Sequence, residues 1–163
     1  MLLKLMRDKM ANIRKYNPRD FVDYATTLEK TTPWKKKAGT ELKARLEKLT
    51  RRDQVWVAEV NGRAIGFMIL SPNKDGSLEV DWLDVHPDFQ RMGIGTLLVE
   101  KAAKVARAKN IMWLSIHTQV TNKEMIGFAA KNGFDVFEKI KDFYGKRKDA
   151  LRFRKVIPYK PDA

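Results

Sequence analysis

Residues 85–102 read VHPDFQRMGIGTLLVEKA, and this stretch decides how the rest of the chain is interpreted. An apolar run that ends at Val85 predicts a buried strand, and apolar residues at helical spacing from Ile94 onward predict an amphipathic helix. Gly93 and Gly95 lie in the turn between them. Because no side chain blocks the approach, the first backbone N–H groups of that helix are open to an anion. The stretch predicts either a phosphate-binding turn or a tight strand-to-helix turn that binds nothing.

Two familiar phosphate-binding patterns do not fit this turn. A nucleotide-binding P-loop has Lys followed by Ser or Thr after its last glycine, whereas this chain has Thr96 and Leu97. A dinucleotide-binding turn has a third glycine where this chain has Leu98. Other parts of the chain must therefore decide which anion, if any, the turn binds.

The composition indicates one ordinary globular domain. The chain has 163 residues, 44% of them apolar, which is enough for a substantial core. It lacks cysteine, which excludes a disulfide framework and thiol catalysis, and it has no apolar run of about 18 residues, so no membrane span is expected. We expect a cytoplasmic protein with a single domain over residues 1–163, in which 1–9 are a lead-in helix or a surplus start and 158–163 a tail.

The chain is strongly basic. It contains 33 Lys and Arg against 20 Asp and Glu, a formal charge of +13. Such a charge indicates an anionic partner, namely nucleic acid, a phosphorylated cofactor or an acidic substrate, although a solvated lysine-rich surface produces it equally well. Residues 139–155 hold eight basic and two acidic residues. The sequence has no helix-turn-helix spacing, zinc-ligand set or RNA-binding aromatic motif, so we expect neither nucleic acid as the main partner nor a bound metal.

Hydrophobic periodicity predicts the element order β-α-α-β-β-β-α-β-α-β-β, a mixed sheet with helices packed against it. Asn61-Gly62 lies between two apolar strands and predicts a tight hairpin, since both residues tolerate positive φ. We expect residues 31–40 to break the first helix, Thr121 and Glu124 to form a capping box, and Gly133 to end the last helix.

The predicted fourth strand contains an irregularity. Leu78, Val80 and Trp82 alternate with acidic residues, but Leu83 and Val85 follow on the opposite phase. A period of two cannot shift by one position without an extra residue. The pattern therefore predicts a β-bulge near residues 82–84, a feature that often lies beside an active site.

Two motifs resemble the GNAT superfamily of acyl-CoA N-acyltransferases. The first is the glycine turn, and the second is the later N-x-x-x-I-x-F…N-G-F pattern; the matching residues are Gln90, Gly93, Gly95, Asn122, Ile126, Phe128, Asn132, Gly133 and Phe134. The resemblance covers about residues 10–157. It implies a mixed, mostly antiparallel α/β sheet with a bulged fourth strand splayed from the fifth, and acetyl-CoA as the acyl donor.

The resemblance also implies which residues contact the acyl donor. The pyrophosphate would lie on the backbone amides of the turn after Gln90, formed by Arg91, Met92, Gly93, Ile94, Gly95 and Thr96. The pantetheine arm would bond to the backbone near Leu83 and Val85. Asn122 and Phe128 would contact the cofactor from the following helix.

Four residues are candidates for the chemistry of amine acylation, in which a base helps the amine lose a proton. Glu79 and Asp81 share one face of the fourth strand, and the family resemblance implies a base at Glu79 or at His117. Many relatives place a Tyr that protonates the leaving thiolate where this chain has Ala129. Tyr144 is the available replacement. Glu79 and His117 could equally be structural, and for Asp81 and Tyr144 a structural role is the more common one.

The acceptor is suggested by resemblance to the ribosomal-protein alanine N-acetyltransferase group. Pro33-Trp34 resembles one lip of that group's substrate cleft, and Tyr144 resembles its peptide-binding Tyr, so Trp34 and Tyr144 are candidate substrate residues. We expect transfer of acetyl to a primary amine, the α-amine of a protein or peptide, by a monomer or homodimer. A small-amine acetyltransferase and, more remotely, a basic nucleic-acid-binding module remain as alternatives.

Overall fold

The computed structural model describes residues 1–2, 11–29 and 33–159, with the side chains of residues 25–29 and 33–39 left out of the description. Within these ranges the helices are too short or too polar to cross a membrane. Four α-helices are described: α1 Pro18–Glu29, α2 Pro33–Glu47, α3 Ile94–Ala108 and α4 Lys123–Lys131. The strands are β1 Asn12–Lys15, β2 Gln54–Val60, β3 Arg63–Pro72, β4 Leu78–Val85, β5 Trp113–Gln119, β6 Asp135–Ile140 and β7 Ala150–Val156.

The strands form one sheet in the order β1-β2-β3-β4-β5-β7-β6. Strands β4 and β5 run parallel, whereas β1 with β2, β5 with β7 and β6 with β7 run antiparallel. The β4–β5 register pairs Leu78 with Leu114 and Glu79 with Ser115, at the start of both strands. This mixed, mostly antiparallel α/β sheet confirms the predicted fold class and element order.

One compact unit comprises residues 1–69 and 82–98. Its core is a cluster of buried side chains from α1, α2, β2 and β3: Tyr24, Leu42, Val57, Ala64, Phe67 and Ile69. The predicted hairpin between β2 and β3 is confirmed, because Asn61 and Gly62 have φ of 50° and 78°. The Tyr24 hydroxyl donates a hydrogen bond of 2.7 Å to Asp84 Oδ2. This bond links α1 to the end of β4, just before the glycine turn.

The second compact unit comprises residues 70–81 and 99–163. Its buried apolar side chains come from α3, α4, β4, β5 and β7, and include Val80, Val99, Ala102, Leu114, Ile116, Ala129 and Phe153. Because side chains alternate across a strand, the opposite face of β5 carries Ser115 and His117. Ser115 and His117 therefore lie on the same face of the sheet.

Two local expectations are wrong. The break predicted over residues 31–40 does not extend past residue 32, because α2 begins at Pro33, where a proline fits the first helical position. The predicted capping box of Thr121 and Glu124 is replaced by a simple N-cap: Asn122, not Thr121, caps α4, and its Oδ1 accepts from Met125 N at 3.1 Å. Asn is the stronger capping residue of the two. A short 3₁₀ helix at Pro87–Phe89, capped by His86, was not expected.

Candidate active site

Glu79 is a buried carboxylate on a strand that otherwise buries apolar residues. It is 6% exposed, and the parallel register places it opposite Ser115 on β5. His117 follows Ser115 by two residues on the same face of β5. A charged side chain at such a position needs hydrogen-bond partners, since an unpaired buried charge is strongly destabilising.

Three side chains supply these partners. Glu79 Oε1 is hydrogen-bonded to His117 Nδ1, and Oε2 to Ser115 Oγ and, at 3.1 Å, to Asn73 Nδ2. Burial alone would raise the pKa of the Glu79 carboxyl, but the hydrogen bonds from His117, Ser115 and Asn73 outweigh burial and hold the pKa below its usual value. Glu79 is therefore ionised at neutral pH and accepts all three hydrogen bonds.

An ionised carboxylate fixes the tautomer of the histidine beside it. A carboxylate only accepts hydrogen bonds, so His117 Nδ1 carries its hydrogen and Nε2 of the neutral ring keeps its lone pair. The Glu79–His117 pair is thus a carboxylate–imidazole dyad in which Nε2 can take up a proton and Glu79 stabilises the resulting charge. Two residues that the sequence offered as alternative bases are joined in one unit.

A polar network continues from the dyad toward the β3–β4 turn. Asn73 Nδ2 also donates to Ser77 Oγ at 3.0 Å and Ser115 Oγ at 3.1 Å. Ser77 donates to Asp75 Oδ1 at 2.6 Å. Hydrogen bonds from Ser77, together with the charge of Arg152, hold the pKa of Asp75 well below its usual range.

Asp75 binds two arginines of β7. Arg152 Nη2 and Arg154 Nη2 each lie 2.8 Å from Asp75 Oδ2. In the antiparallel register Arg152 lies opposite His117 and Arg154 opposite Ser115. The guanidinium of Arg154 also stacks over the Phe137 ring at 3.7 Å. Both arginines are therefore held beside the dyad by Asp75 rather than by Glu79.

The loop between β6 and β7 brings two aromatic rings to the dyad. Phe143 stacks on His117 with ring centroids 5.0 Å apart and planes inclined by 4°, and Tyr144 meets Phe143 edge-on at 4.8 Å. Burial raises the pKa of the Tyr144 phenol, and the negative charges of Glu79 and Asp81 raise it further. Tyr144 therefore keeps its proton at neutral pH. Asp81 itself is exposed on β4.

The glycine turn contains two residues with a left-handed backbone directly before α3. Arg91 and Gly93 have φ of 61° and 79°, and α3 begins directly after them at Ile94. The amides of Ile94, Gly95 and Thr96 belong to the first helical turn, where N–H groups have no partner within the helix. Alternation of left- and right-handed residues before such a turn makes a concave group of N–H donors.

The other predicted cofactor residues lie as follows. Gln90 Nε2 donates to the carbonyl of Val85 at 3.1 Å, and Leu83 and Val85 are partly buried at the end of β4. Asn122 caps α4, and Phe128 is partly buried on the same helix. Met92 is exposed. Trp34 is the second residue of α2, and its side chain lies outside the described part of the chain.

Sequence reasoning missed three members of this site: Asn73, Ser115 and Phe143. A signal existed for Ser115, which alternates with His117 along an otherwise apolar strand. For Asn73 and Phe143 no local pattern exists, because both reach the dyad from turns. The predicted bulge near residues 82–84 stays a prediction.

The mixed sheet with parallel β4 and β5, and a glycine turn joining β4 to α3, define the class of GNAT-fold acyltransferases. The chain belongs to the GNAT acetyltransferase family, whose family model matches residues 19–134.

Two curated relatives are 34% identical to this chain. An uncharacterized N-acetyltransferase of Methanocaldococcus jannaschii matches over 101 residues, 57% of this chain and 45% of the relative. A peptidyl-lysine N-acetyltransferase of Escherichia coli matches over 104 residues, 60% of this chain and 63% of the relative. The matched part of the chain thus spans about half to two-thirds of these relatives.

Two solved structures share the fold at low sequence identity. The ribosomal-protein-S18-alanine N-acetyltransferase of Escherichia coli has a TM-score of 0.72 at 19% identity, with 94% of this chain and 97% of that chain covered. A GNAT family acetyltransferase of Elizabethkingia anophelis with acetyl-CoA bound has a TM-score of 0.68 at 18% identity, with 90% and 97% covered.

Proposed function

We propose that this protein is an acetyl-CoA-dependent N-acetyltransferase that acts on a primary amine, the α-amine of a protein or peptide. The observation that carries the proposal is the Glu79–His117 dyad. Transfer to an amine requires a base, because a free amine is largely protonated at neutral pH. A buried, ionised carboxylate that orients one histidine nitrogen and leaves the other to accept a proton meets that requirement.

In this mechanism the acceptor's ammonium nitrogen loses two protons on its way to the amide: one goes to solvent, and His117 Nε2 takes the other as the amine attacks. Glu79 stabilises the imidazolium that results. The amine nitrogen then bonds to the thioester carbon, the carbon–sulfur bond breaks, and the CoA thiolate leaves with the electron pair. Tyr144 donates its phenolic proton to that thiolate and regains a proton from solvent. Ala129 cannot fill this role, because it is a fully buried methyl group in the core.

The donor itself supplies the activated acetyl group. The first-turn amides of α3, at Ile94, Gly95 and Thr96, would bind its pyrophosphate, with added charge from Arg91. Leu83 and Val85 would offer backbone groups to the pantetheine arm. The Elizabethkingia neighbour, which has acetyl-CoA bound, supports the assignment of this donor.

A protein or peptide acceptor is supported by the relatives and by one local feature. One curated relative is named for peptidyl-lysine and one structural neighbour for the alanine of a ribosomal protein, and both names specify an amine carried by a polypeptide. Tyr144 is 40% exposed beside the dyad, where it is also open to a peptide backbone. Trp34 stays a predicted substrate residue.

The first test is thermal unfolding with and without acetyl-CoA at low and moderate salt. Ligand at about 100 times its dissociation constant adds about 2.7 kcal/mol, which raises the melting midpoint of a chain of this size by about 5–10 °C. A shift that moderate salt abolishes and any polyanion reproduces would contradict a specific donor site.

The second test compares three acceptors: a lysine-free peptide with a free α-amine, an Nα-blocked peptide with one lysine, and spermidine. Acetylation of the first peptide alone is the expected result. Acetylation confined to the blocked peptide would transfer the assignment to lysine side chains, and acetylation confined to spermidine would assign the protein to the small-amine acetyltransferases.

A further inference from the structure

The β6–β7 loop carries a concentrated positive charge. Residues 141–148, hereafter the basic loop, are exposed and include four cationic side chains: Lys141, Lys146, Arg147 and Lys148. The cations of β7 differ from them, because Arg152 and Arg154 are bound to Asp75. Of the eight basic residues at 139–155, four lie on this exposed loop and two are arginines anchored to Asp75. The other two, Lys139 and Lys155, lie on β6 and β7.

Hydrogen bonds of its own backbone hold the basic loop in one shape. Asp142 Oδ1 accepts from Arg147 N at 2.6 Å, and Asp149 Oδ1 accepts from Asp142 N at 2.9 Å. Tyr144 N donates to Lys148 O at 3.0 Å, which closes the tip. Both nearby carboxylates are engaged with the loop backbone, so the cations at 146–148 project from a fixed turn.

The same loop contacts the proposed base. Phe143 stacks on His117 at 5.0 Å, and Tyr144 lies within the electrostatic influence of Glu79 and Asp81. A negatively charged centre, suited to a cationic amine, is therefore bordered by the positively charged tip of the basic loop. An acceptor that carries an amine at one end and carboxylates close behind it matches this arrangement of charge.

We propose that the basic loop selects acceptor peptides with Asp or Glu a few residues from the acetylated amine. The inference rests on the proposed function and adds the substrate class to it. An extended peptide advances about 3.3 Å per residue. A carboxylate about two to five residues beyond the amine can therefore approach the tip of the basic loop, whose cations follow Tyr144 by two to four residues. Attraction between exposed charges acts over about 8 Å at physiological salt, so the cations at 146–148 need not touch the acceptor's carboxylates to attract them.

The experiment compares two ten-residue peptides that share one N-terminal residue. One has Asp and Glu at positions 2–5 and the other has Asn and Gln there. The enzyme variants are the triple K146E/R147E/K148E and a matched control, K104E/K109E/K131E. The control makes the same change in net charge at exposed lysines in α3, directly after α3 and in α4. Melting midpoints and acetyl-CoA affinities are measured for both variants alongside the kinetics.

We expect the wild-type protein to prefer the acidic peptide by about tenfold or more in kcat/KM, mainly through KM, because the interaction is the same in the ground state and the transition state. The loop triple should remove or reverse this preference, and the helix triple should retain it. Raising the salt from about 50 to 300 mM should reduce the wild-type preference, since screening shortens the range of the attraction.

Equal kcat/KM for the two peptides with the wild-type protein would overturn the inference while leaving the proposed function intact. A loop triple that loses acetyl-CoA affinity but keeps its peptide preference would overturn it in favour of a donor contact. If the loop triple loses salt-sensitive binding to a single-stranded oligonucleotide while its peptide kinetics stay unchanged, the inference is overturned in favour of nucleic acid. Acetylation of neither peptide would overturn the proposed function as well.

Discussion

The buried carboxylate of Glu79 on β4 is hydrogen-bonded to Nδ1 of His117 on β5, and the parallel register of the two strands brings them together. This relationship assigns different roles to two residues that look equivalent in the sequence. Glu79 accepts hydrogen bonds from three donors, so its role is to orient His117 and to stabilise the imidazolium. His117 retains a ring nitrogen for proton transfer. The account of catalysis depends on that division.

Asp75 is expected to protect the dyad from the arginines beside it. Asp75→Asn removes the carboxylate that binds Arg152 and Arg154, and Arg152 Nη2 already lies 3.4 Å from Ser77 Oγ, one hydroxyl away from the Glu79 network. A released guanidinium would compete with His117 for Glu79. We expect kcat to fall about tenfold, equivalent to about 1.4 kcal/mol.

The control for Asp75→Asn is a double variant that also removes the charge of Arg152. Arg152→Met removes the competing cation, so Asp75→Asn/Arg152→Met should recover kcat to within about threefold of the wild-type value. A double variant as slow as, or slower than, Asp75→Asn would mean that Asp75 supports the site only through the Ser77 turn.

Tyr24→Phe tests the hydrogen bond that ties α1 to β4. Tyr24 is fully buried, and its hydroxyl donates to Asp84 between the two proposed pantetheine-binding residues. Loss of a donor to a carboxylate in a partly buried site costs about 1–3 kcal/mol. Urea unfolding should show that loss of stability, and a variant as stable as the wild type would contradict it.

The glycine turn is best tested at Gly95. Gly93 has a left-handed backbone, so a side chain there introduces strain as well as bulk. A substitution at Gly93 would therefore not separate loss of ligand binding from loss of stability. Gly95 lies inside α3, where valine is acceptable to the helix. Gly95→Val should leave the ligand-free melting midpoint within about 3 °C and abolish the stabilisation by acetyl-CoA. A full thermal shift in this variant would refute pyrophosphate binding at the turn.

Acid should weaken the fold through Asp20. Burial favours the protonated form of this carboxyl, but hydrogen bonds from Arg14 at 2.8 Å and from Asn17 N at 2.7 Å outweigh burial and lower its pKa. A carboxyl whose folded pKa is depressed stabilises the protein above its unfolded pKa, about 3.9, and that contribution disappears as the pH falls through the folded value.

The matched measurement is urea unfolding of wild type and Asp20→Asn at pH 7 and at about pH 3. The wild type should be the more stable at pH 7, and the difference should shrink in acid. A difference that is constant between the two pH values would show that ionisation of Asp20 does not contribute.

The order of elements could be predicted because it follows from local periodicity and turn residues. Asn61-Gly62, for example, imposes a hairpin through its own backbone preferences. The residues of the site could be predicted from the sequence only in part. His117 and Glu79 were both candidates, but their direct contact depends on the register between β4 and β5, which no local pattern in either strand encodes.

Side chains that reach the site from turns were beyond local prediction for the same reason. Asn73 and Phe143 enter through the geometry of the β3–β4 and β6–β7 connections. The Thr121 cap was misassigned because Thr121 and Asn122 both suit an N-cap, although Asn is the stronger capping residue of the two. Trp34 stays a prediction.

The central claim, that Glu79 and His117 act as one unit, is tested most directly by a double-mutant cycle. Turnover is measured for wild type, Glu79→Gln, His117→Gln and the double variant, with acetyl-CoA affinity as a control for folding. We expect His117→Gln to lower kcat by about 10²–10³-fold, and the double variant to be no slower than His117→Gln alone, since Glu79 acts only through the histidine. Losses that multiply in the double variant, or a large loss in Glu79→Gln with little in His117→Gln, would contradict the account.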